Sequence, residues 1–303
     1  MYFEHYLNEL GYSNIPEFLI KYLETPSLLR LKKVGYFCGM DYASKNIYNF
    51  KESFSRFDHS LTVSLLVYKL TKDEKATLAG LFHDIATPCF SHVIDYMNED
   101  YEKQESTEEY TEHILRNDEY LKKCLKEDGI EIEDIIDFKK YSIVDNNRPK
   151  LCADRIDGVI LTGIGWTKNI GIEDISNIVK DMKVYTNEDN ELEIGFKTPS
   201  IAKKVLEVNN SINTYCHSKE DNFMMQLLAN ITKYAIDKKY ISYNELYKYN
   251  EEELYCLFKQ KNDKEFESLI TKFENIRMNE IPNTQFPEIK IRKLNPIVEG
   301  KRI

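Results

Sequence analysis

Four side chains that can bind a metal ion lie in segments of the sequence that are otherwise almost entirely apolar. They are His59 in "FDHSLTVSLLV", His83 and Asp84 in "LAGLFHDI", and Asp154 in "LCADRIDGVI". An unpaired buried carboxylate carries a penalty of several kcal/mol, which a divalent cation offsets. A single histidine on an apolar face is more often a hydrogen-bonded core residue, but the ordered set favours a metal site. We therefore predict that these four side chains bind one divalent metal ion, and Fe, Mn, Co, Ni, Zn and Mg all suit two imidazoles with two carboxylates.

The spacing of apolar residues predicts a mainly α fold, because such residues recur every three or four positions across most of the chain. The clearest predicted helix is "TKDEKATLAGLFHDI", in which Thr71 and Glu74 form a capping box and Pro88 ends the helix. Two short helices are predicted in "PEFLIKYLETPSLLRLKKVG" and a buried helix in "KLCADRIDGVILTG". A further, amphipathic helix is predicted in "STEEYTEHILRNDEYLKKCL", opened by Ser106 with Glu109 as its box partner.

Strand signals are few. "KVYT" and "ELEIGF" flank the turn-prone "NEDN", which predicts a hairpin at about 183–196. "EIKIRKL" near the C-terminus alternates apolar and charged residues, which predicts a strand, and residues 199–279 return to helices. We therefore expect a helical core over residues 1–180, and a second region over 181–303 in which the hairpin and further helices pack on that core.

Composition limits the partners of the protein. The chain has 303 residues, of which 42% are hydrophobic and 30% charged, and its net charge is −10. An acidic surface repels nucleic acid, so a phosphorylated substrate must meet a local positive pocket. No apolar run approaches the roughly 20 residues of a membrane helix, and the six cysteines occur singly, without a C-x-x-C pair. We expect a cytoplasmic protein that binds neither membrane nor nucleic acid.

The order His, His-Asp, Asp resembles the H…HD…D signature of the HD-domain phosphohydrolase superfamily. Within it, the chain resembles the branch of deoxynucleoside triphosphate triphosphohydrolases that includes the SAM-and-HD-domain enzyme. "TPSLLRLKKVG" is similar to the T-P-x-x-Q-R-L-x-x-I/V motif of that branch, and "SRFDHSLTVSLLVYKL", "LAGLFHDIATPCFSH" and "ADRIDGVILTG" continue the likeness. This resemblance implies an HD-domain helical bundle, here with a small β-hairpin and a helical C-terminal extension.

The resemblance also implies two catalytic candidates. His92 matches a family histidine that lies over the substrate phosphates, and an imidazole can bind phosphate or protonate a leaving group. Glu108 stands where the branch has a further histidine. It could orient water, but a carboxylate that stabilises the first turn of its own helix is the interpretation we favour.

Four residues are candidates for substrate binding. Arg56 matches a family arginine of the nucleotide pocket, and Arg155 stands where the family often has a phosphate-contacting lysine. Tyr215 and Lys219 lie in the weaker C-terminal part of the likeness, where a solvated helix start explains them equally well. Further cations that would offset substrate charge are Lys150 and Arg148.

The sequence departs from the branch at three positions that bear on the substrate. Thr87 replaces the first histidine after the His-Asp pair, and it cannot carry a proton or charge at neutral pH. Gly158 and Thr162 replace a tyrosine and an aspartate that the triphosphohydrolases use near the sugar and phosphates. The substrate is therefore less well defined than the metal site.

Three functions remain open at this stage. The leading one is a metal-dependent phosphohydrolase acting on a nucleotide, including a deoxynucleoside triphosphate, through a metal-activated water that attacks phosphorus. The second is a 5′-nucleotidase or phosphodiesterase of the same superfamily. The third is a nucleotide-binding regulatory protein with weak catalysis. Guanosine tetraphosphate hydrolysis fits less well, and the resemblance also implies a homo-oligomer.

Overall fold

The structure is a computed structural model that describes residues 1–104, 106–283 and 286–303. Over these residues the chain forms fifteen α-helices and one small sheet, which confirms the predicted mainly α class. The helices are α1 Tyr2–Leu10, α2 Glu17–Tyr22, α3 Pro26–Arg30, α4 Arg56–Thr71, α5 Glu74–Phe82, α6 Val93–Met97, α7 Thr111–Asn117, α8 Glu119–Asp128, α9 Glu133–Ile136, α10 Ala153–Gly165, α11 Ile172–Asp181, α12 Pro199–Cys216, α13 Lys219–Asp237, α14 Glu251–Lys259 and α15 Lys264–Asn275.

The sheet has four strands in the order β1-β2-β3-β4: β1 Met182–Thr186, β2 Leu192–Phe196, β3 Ile297–Val298 and β4 Lys301–Arg302. Strands β1 and β2 pair antiparallel and form the predicted hairpin, while β3 pairs parallel to β2. The strand predicted in "EIKIRKL" is wrong. The backbone of this extended segment is held by helix side chains instead, because the amide of Arg292 donates to Asn213 Oδ1 and its carbonyl accepts from Asn209 and Asn213.

Helices α4 and α5 form the buried centre of the fold. Ser55 caps α4 through a reciprocal pair of hydrogen bonds with Asp58, and the side chains of α5 are buried from Ala76 to Phe82. The predicted cap of α5 is wrong, because Thr71 is the last residue of α4 and Asp73 instead accepts the amide of Ala76 at 3.0 Å. Pro88 does not end α5 either, since the helix ends at Phe82.

The single amphipathic helix predicted from Ser106 is also wrong. A 3₁₀ turn at Ser106–Glu108 is followed by the separate helices α7 and α8. Asp118 causes the break, because its carboxylate accepts the amide of Leu121 at 2.9 Å and caps a new helix.

Two apolar cores hold these elements together. The first joins α1, α4, α5, α10, α11, α12 and the hairpin, and the second joins α6, α13, α14 and α15. Side chains from the stretches 40–48 and 89–96 belong to the second core, so the two cores interleave along the sequence. A boundary near residue 180 therefore stays a prediction. Within the described residues, no helix combines the length and apolarity that crossing a bilayer requires.

Candidate metal centre

Three of the four predicted metal ligands converge where α4, α10 and the C-terminal end of α5 meet. His59 Nε2 lies 3.1 Å from Asp154 Oδ1, and His83 Nε2 lies 3.6 Å from the same oxygen. One donor atom from each of these three residues lies within 4.8 Å of the others. The spacing suits side chains that bind one cation.

The fourth residue, Asp84, lies at the edge of this triad. Its two carboxylate oxygens lie 3.8 Å from His59 Nε2 and 3.8 Å from His83 Nε2. One of the same oxygens accepts a hydrogen bond from Arg56 at 2.9 Å. Asp84 is therefore shared between the triad and an arginine that orients it.

Both imidazoles turn Nε2 toward the centre of the triad. His83 Nδ1 donates to the carbonyl of Gly80 at 2.7 Å, and His59 Nδ1 donates to Asp157 at 2.7 Å. Each Nδ1 therefore carries a hydrogen, and a cation would take the place of the proton that His59 Nε2 shares with Asp154 at 3.1 Å. His83 Nε2 is buried and lacks a hydrogen-bond partner among the described residues. A buried acceptor in this state is costly, so the donor set fits a divalent metal.

The electrostatics of the centre favour added positive charge. Burial disfavours a charged His59, but hydrogen bonds to Asp154 and Asp157 outweigh it and raise the pKa of His59 to about 10. Burial would raise the pKa of Asp84, yet the charges of His83, Arg56 and His59 lower it to about 2. The pKa of Asp154 is also lowered, because its interactions with His59 and His83 outweigh burial. A cation supplies the same charge and competes with protons for the imidazoles.

Asp157 supports the centre and was missed by sequence reasoning. It is fully buried, and it accepts from both His59 and the Tyr6 hydroxyl, each at 2.7 Å. Such a carboxylate fixes the orientation and tautomer of a metal-binding histidine. The signal was present in the sequence, because residues 154 and 157 lie three apart on one helix and therefore share a face.

Arg30 explains why the "TPSLLRLKKV" motif accompanies the His-Asp pair. Its guanidinium is largely buried and donates to the carbonyls of Ile85 at 3.3 Å and Thr87 at 2.6 Å. These carbonyls belong to the turn that follows His83 and Asp84. The motif therefore stabilises the turn that carries two of the candidate ligands.

The centre opens into a cavity of about 650 Å³. Its lining combines the triad with basic side chains and with an aromatic group formed by Tyr48, Phe50 and Trp166. The ring centroids in this group lie 5.6 Å apart for Tyr48 and Phe50 and 5.9 Å apart for Tyr48 and Trp166. The cavity can therefore receive a molecule that is charged at one end and flat and apolar at the other.

Both catalytic candidates line this cavity. His92 Nδ1 donates to the buried Asp95 at 2.8 Å, which leaves Nε2 as the free ring nitrogen. Glu108 lies in a 3₁₀ turn rather than in the first turn of an α-helix, and its carboxylate pairs with Lys139 at 2.8 Å. The capping role that we favoured for Glu108 is therefore wrong, and a catalytic role for either residue stays a prediction.

The predicted substrate-binding residues fall into two groups. Arg56 and Arg155 line the cavity, but each is already engaged, Arg56 with Asp84 and Arg155 with Asp145, both at 2.9 Å. Arg155 also bonds to Asn146, so it holds the loop that precedes α10.

The structure does not bring Tyr215 and Lys219 to the cavity. Lys219 is exposed in the first turn of α13, and the ring of Tyr215 is 45% exposed and contacts Trp166 edge-on. Lys150 pairs with Asp189 and Glu191 at the hairpin. These three side chains are explained by local structure.

Tyr36 occupies the space beside Gly158. A Cβ added to Gly158 would lie 3.2 Å from the Tyr36 hydroxyl, which also interacts with Thr162. The Tyr36 ring covers the Arg56 guanidinium at 5.0 Å and contacts His59 at 5.3 Å. Two of the three positions that depart from the triphosphohydrolase pattern, Gly158 and Thr162, thus lie beside an aromatic hydroxyl from another part of the chain.

These features describe a helical domain whose polar cavity contains residues that could hold a metal ion, and part of it is similar to known proteins. Residues 56–160 match the HD domain model, which supports the predicted resemblance to the HD-domain superfamily. The matched range begins at the N-terminus of α4 and ends within α10, and it includes all four predicted ligands.

Two curated proteins are similar to part of this chain. The uncharacterized protein YdhJ of Bacillus subtilis is 29% identical over 151 residues, which cover 48% of this chain and 43% of YdhJ. The metal-dependent phosphohydrolase cns2 of Cordyceps militaris is 26% identical over 136 residues, which cover 43% of this chain and 37% of cns2. The similarity thus spans less than half the length of each relative.

Proposed function

We propose that this protein is a metal-dependent phosphohydrolase that acts on a small phosphorylated molecule. The observation that carries the proposal is the triad of His59, His83 and Asp154, in which the buried Nε2 of His83 has no hydrogen-bond partner in the described part of the chain and His83 lines a cavity. The similarity to a protein named as a metal-dependent phosphohydrolase supports the same chemistry. When bound, a divalent cation would supply Lewis acidity and lower the pKa of water.

The side chains around the triad have distinct roles in this proposal. Asp157 holds the ring of His59, and Arg56 holds the carboxylate of Asp84. The Nε2 of His92, on the cavity side of the Asp95 hydrogen bond, contacts the substrate phosphate or protonates the leaving group. Glu108 forms an ion pair with Lys139, and each side chain of this pair fixes the orientation of the other.

We further propose that the substrate is a nucleotide, including a deoxynucleoside triphosphate. The aromatic group of Tyr48, Phe50 and Trp166 offers flat apolar surface to a base. Asp221 lies at the same end, where it accepts the Tyr48 hydroxyl at 2.6 Å. Burial raises the pKa of Asp221 to about 7, so this carboxyl group can donate or accept a hydrogen bond near neutral pH.

Hydrolysis of a panel of nucleoside mono-, di- and triphosphates by the metal-loaded chain tests the proposal. Release of tripolyphosphate identifies a triphosphohydrolase, and release of orthophosphate identifies a nucleotidase. Hydrolysis of cyclic or linear diesters identifies a phosphodiesterase. Failure to cleave any phosphoester at full metal occupancy would contradict the proposal.

A regulatory nucleotide-binding role is the second candidate, and the change at Gly158 favours it. The space beside this residue is filled by Tyr36, a side chain from outside the HD helices. Calorimetric binding of a nucleotide without any product would select this role over hydrolysis.

A further inference from the structure

We infer that Arg148, Lys290 and Arg292 form a second anion subsite, which binds a phosphate group of the substrate other than the one at the metal centre. The inference deepens the proposed function, and it rests on that function for the identity of the substrate. Lys290 and Arg292 belong to the C-terminal segment 286–296, outside the matched HD range. Arg148 lies within the matched range, so the subsite joins one cation of the HD region to two from the C-terminal part of this chain.

All three cations line the cavity that contains the triad. The segment that carries Lys290 and Arg292 is fixed in place by backbone hydrogen bonds. Besides the contacts of Arg292 with α12, the amide of Lys290 donates to the carbonyl of Tyr101 at 3.0 Å, and the amide of Asn295 donates to that of Pro149 at 2.8 Å. These hydrogen bonds fix the segment in place as one wall of the cavity.

The C-terminal segment turns two charged side chains toward the cavity. Lys290 and Arg292 are half-buried against it, while Ile291 between them is 70% exposed and Ile289 and Leu294 on either side are buried. An extended chain places alternate side chains on opposite faces, so Lys290 and Arg292 share one face. Two half-buried positive charges on that face are unfavourable unless an anion lies opposite.

The three cations are bonded to uncharged oxygens. Arg292 donates to the Gln104 amide at 2.9 Å and to the Lys290 carbonyl at 3.2 Å, and Lys290 donates to the Lys103 carbonyl at 2.6 Å. Arg148 donates to the Lys293 carbonyl at 3.4 Å. Across residues 1–104, 106–283 and 286–303, no carboxylate lies within 4.0 Å of these three charges in an ion pair.

For Arg148 and Lys290 the grouping is costly in electrostatic terms without an anion. The pKa of Arg292 is instead raised, because its burial is outweighed by nearby groups, led by Cys216 and Asp221. Burial, followed by repulsion from Arg155 and Arg292, lowers the pKa of Arg148 to about 10. Burial, followed by repulsion from Arg148 and Arg292, also lowers the pKa of Lys290. A phosphate group offsets both effects, because its oxygens accept charge-assisted hydrogen bonds.

Calorimetric titration of the metal-stripped full chain with sodium tripolyphosphate tests the subsite without requiring catalysis. We expect Arg292→Gln and Lys290→Gln each to weaken binding by about tenfold, because each removes a charge-assisted contact. Lys293→Gln is the matched control, since Lys293 lies on the same segment with an exposed side chain outside the cavity lining. Equal affinity of all four proteins would overturn the inference, and thermal melting identifies any variant that fails to fold.

Two further measurements distinguish a substrate phosphate from free phosphate. Orthophosphate that binds as tightly as tripolyphosphate, with the same loss in Arg292→Gln, would show that the subsite takes a free ion and would overturn the assignment to substrate. In the metal-loaded enzyme, Arg292→Gln should raise KM for a nucleoside triphosphate about tenfold and leave KM for p-nitrophenyl phosphate unchanged. If the wild type hydrolyses nothing, the proposed function fails while the titration still decides the subsite.

Discussion

Two walls of one cavity differ in how their charges are matched. On the wall formed by α4, α5 and α10, the carboxylates and the cations neutralise one another, as in Arg56 with Asp84 and His59 with Asp154 and Asp157. On the wall formed by the C-terminal segment, Arg292 and Lys290 donate to amide and carbonyl oxygens. The first wall is organised before any ligand arrives, and the second is organised for a ligand that brings negative charge.

The largest effect is expected when a candidate metal ligand is removed from the wall formed by α4, α5 and α10. His83→Ala removes the buried imidazole nitrogen that lacks a partner, and we expect phosphohydrolase activity to fall by about 10³-fold, since a bound metal contributes several kcal/mol of transition-state stabilisation. His113→Ala is the control, because His113 is exposed on α7. Steady-state rates of the two variants under identical metal loading decide the prediction, and similar rates would contradict it.

A smaller effect should follow when the hydrogen bond that supports His59 on the same wall is weakened. Asp157→Asn weakens the hydrogen bond that orients His59, and we expect metal affinity to fall by about 10- to 100-fold. Competition with a fluorescent chelator measures this affinity. Tyr6→Phe, which removes only the hydroxyl bonded to Asp157, should cost less. An Asp157→Asn affinity equal to that of the wild type would show that His59 needs no such support.

A buried carboxyl group outside both walls, that of Glu251, should make the stability of the protein depend on pH between 5 and 8. Burial outweighs the backbone hydrogen bonds from Phe90 and Gly35 and raises the pKa of Glu251 from 4.5 to about 8, with Asp41 and Arg56 also nearby. A raised pKa means that the folded state binds more protons over this range, so the stabilising contribution is lost as pH rises. We expect the free energy of unfolding to fall by roughly 2 kcal/mol between pH 6 and 8.

Urea unfolding at several pH values measures this dependence. Glu251→Gln keeps the neutral form at every pH, so its unfolding free energy should change less over the same interval. If the unfolding free energies of the wild type and of Glu251→Gln change equally with pH, other groups cause the dependence.

The smallest effect concerns the surface beside the triad. Gly158→Ala places a Cβ 3.2 Å from the Tyr36 hydroxyl, and a small shift of that side chain relieves the contact. We expect a loss of less than about 1 kcal/mol in stability, which Tyr36→Phe should restore in the double variant. Thermal melts of the single and double variants measure the coupling, and additive effects would show that the two residues do not compete for space.

The same comparison explains what could be predicted from sequence. His83 and Asp154 were predicted as ligands because polar residues inside apolar helices are costly to bury. The structure brings the two side chains together with His59, with His83 buried and the Asp154 side chain 36% exposed, and metal binding by them stays a prediction. The helix broken at Asp118 and the cap at Asp73 were mispredicted, because several nearby Ser, Thr and Asp residues compete to start a helix and packing decides among them.

The C-terminal wall could not be predicted in the same way. Alternation in "EIKIRKL" indicated an extended chain correctly, but the pattern could not tell which face is buried. The answer depends on Asn209 and Asn213 of α12, which are far away in sequence and bind the backbone at Arg292. Tyr215 and Lys219 were predicted to bind substrate from the weaker C-terminal part of the resemblance, and α12 and α13 direct them to the surface.

Metal content measured by mass spectrometry after reconstitution tests the central claim most directly. The account predicts about one divalent ion per chain in the wild type and in His113→Ala, and loss of that ion in folded His83→Ala and Asp154→Ala proteins. A wild-type protein that retains no ion with Mn, Fe, Co, Ni, Zn or Mg, or variants that retain it fully, would contradict the account.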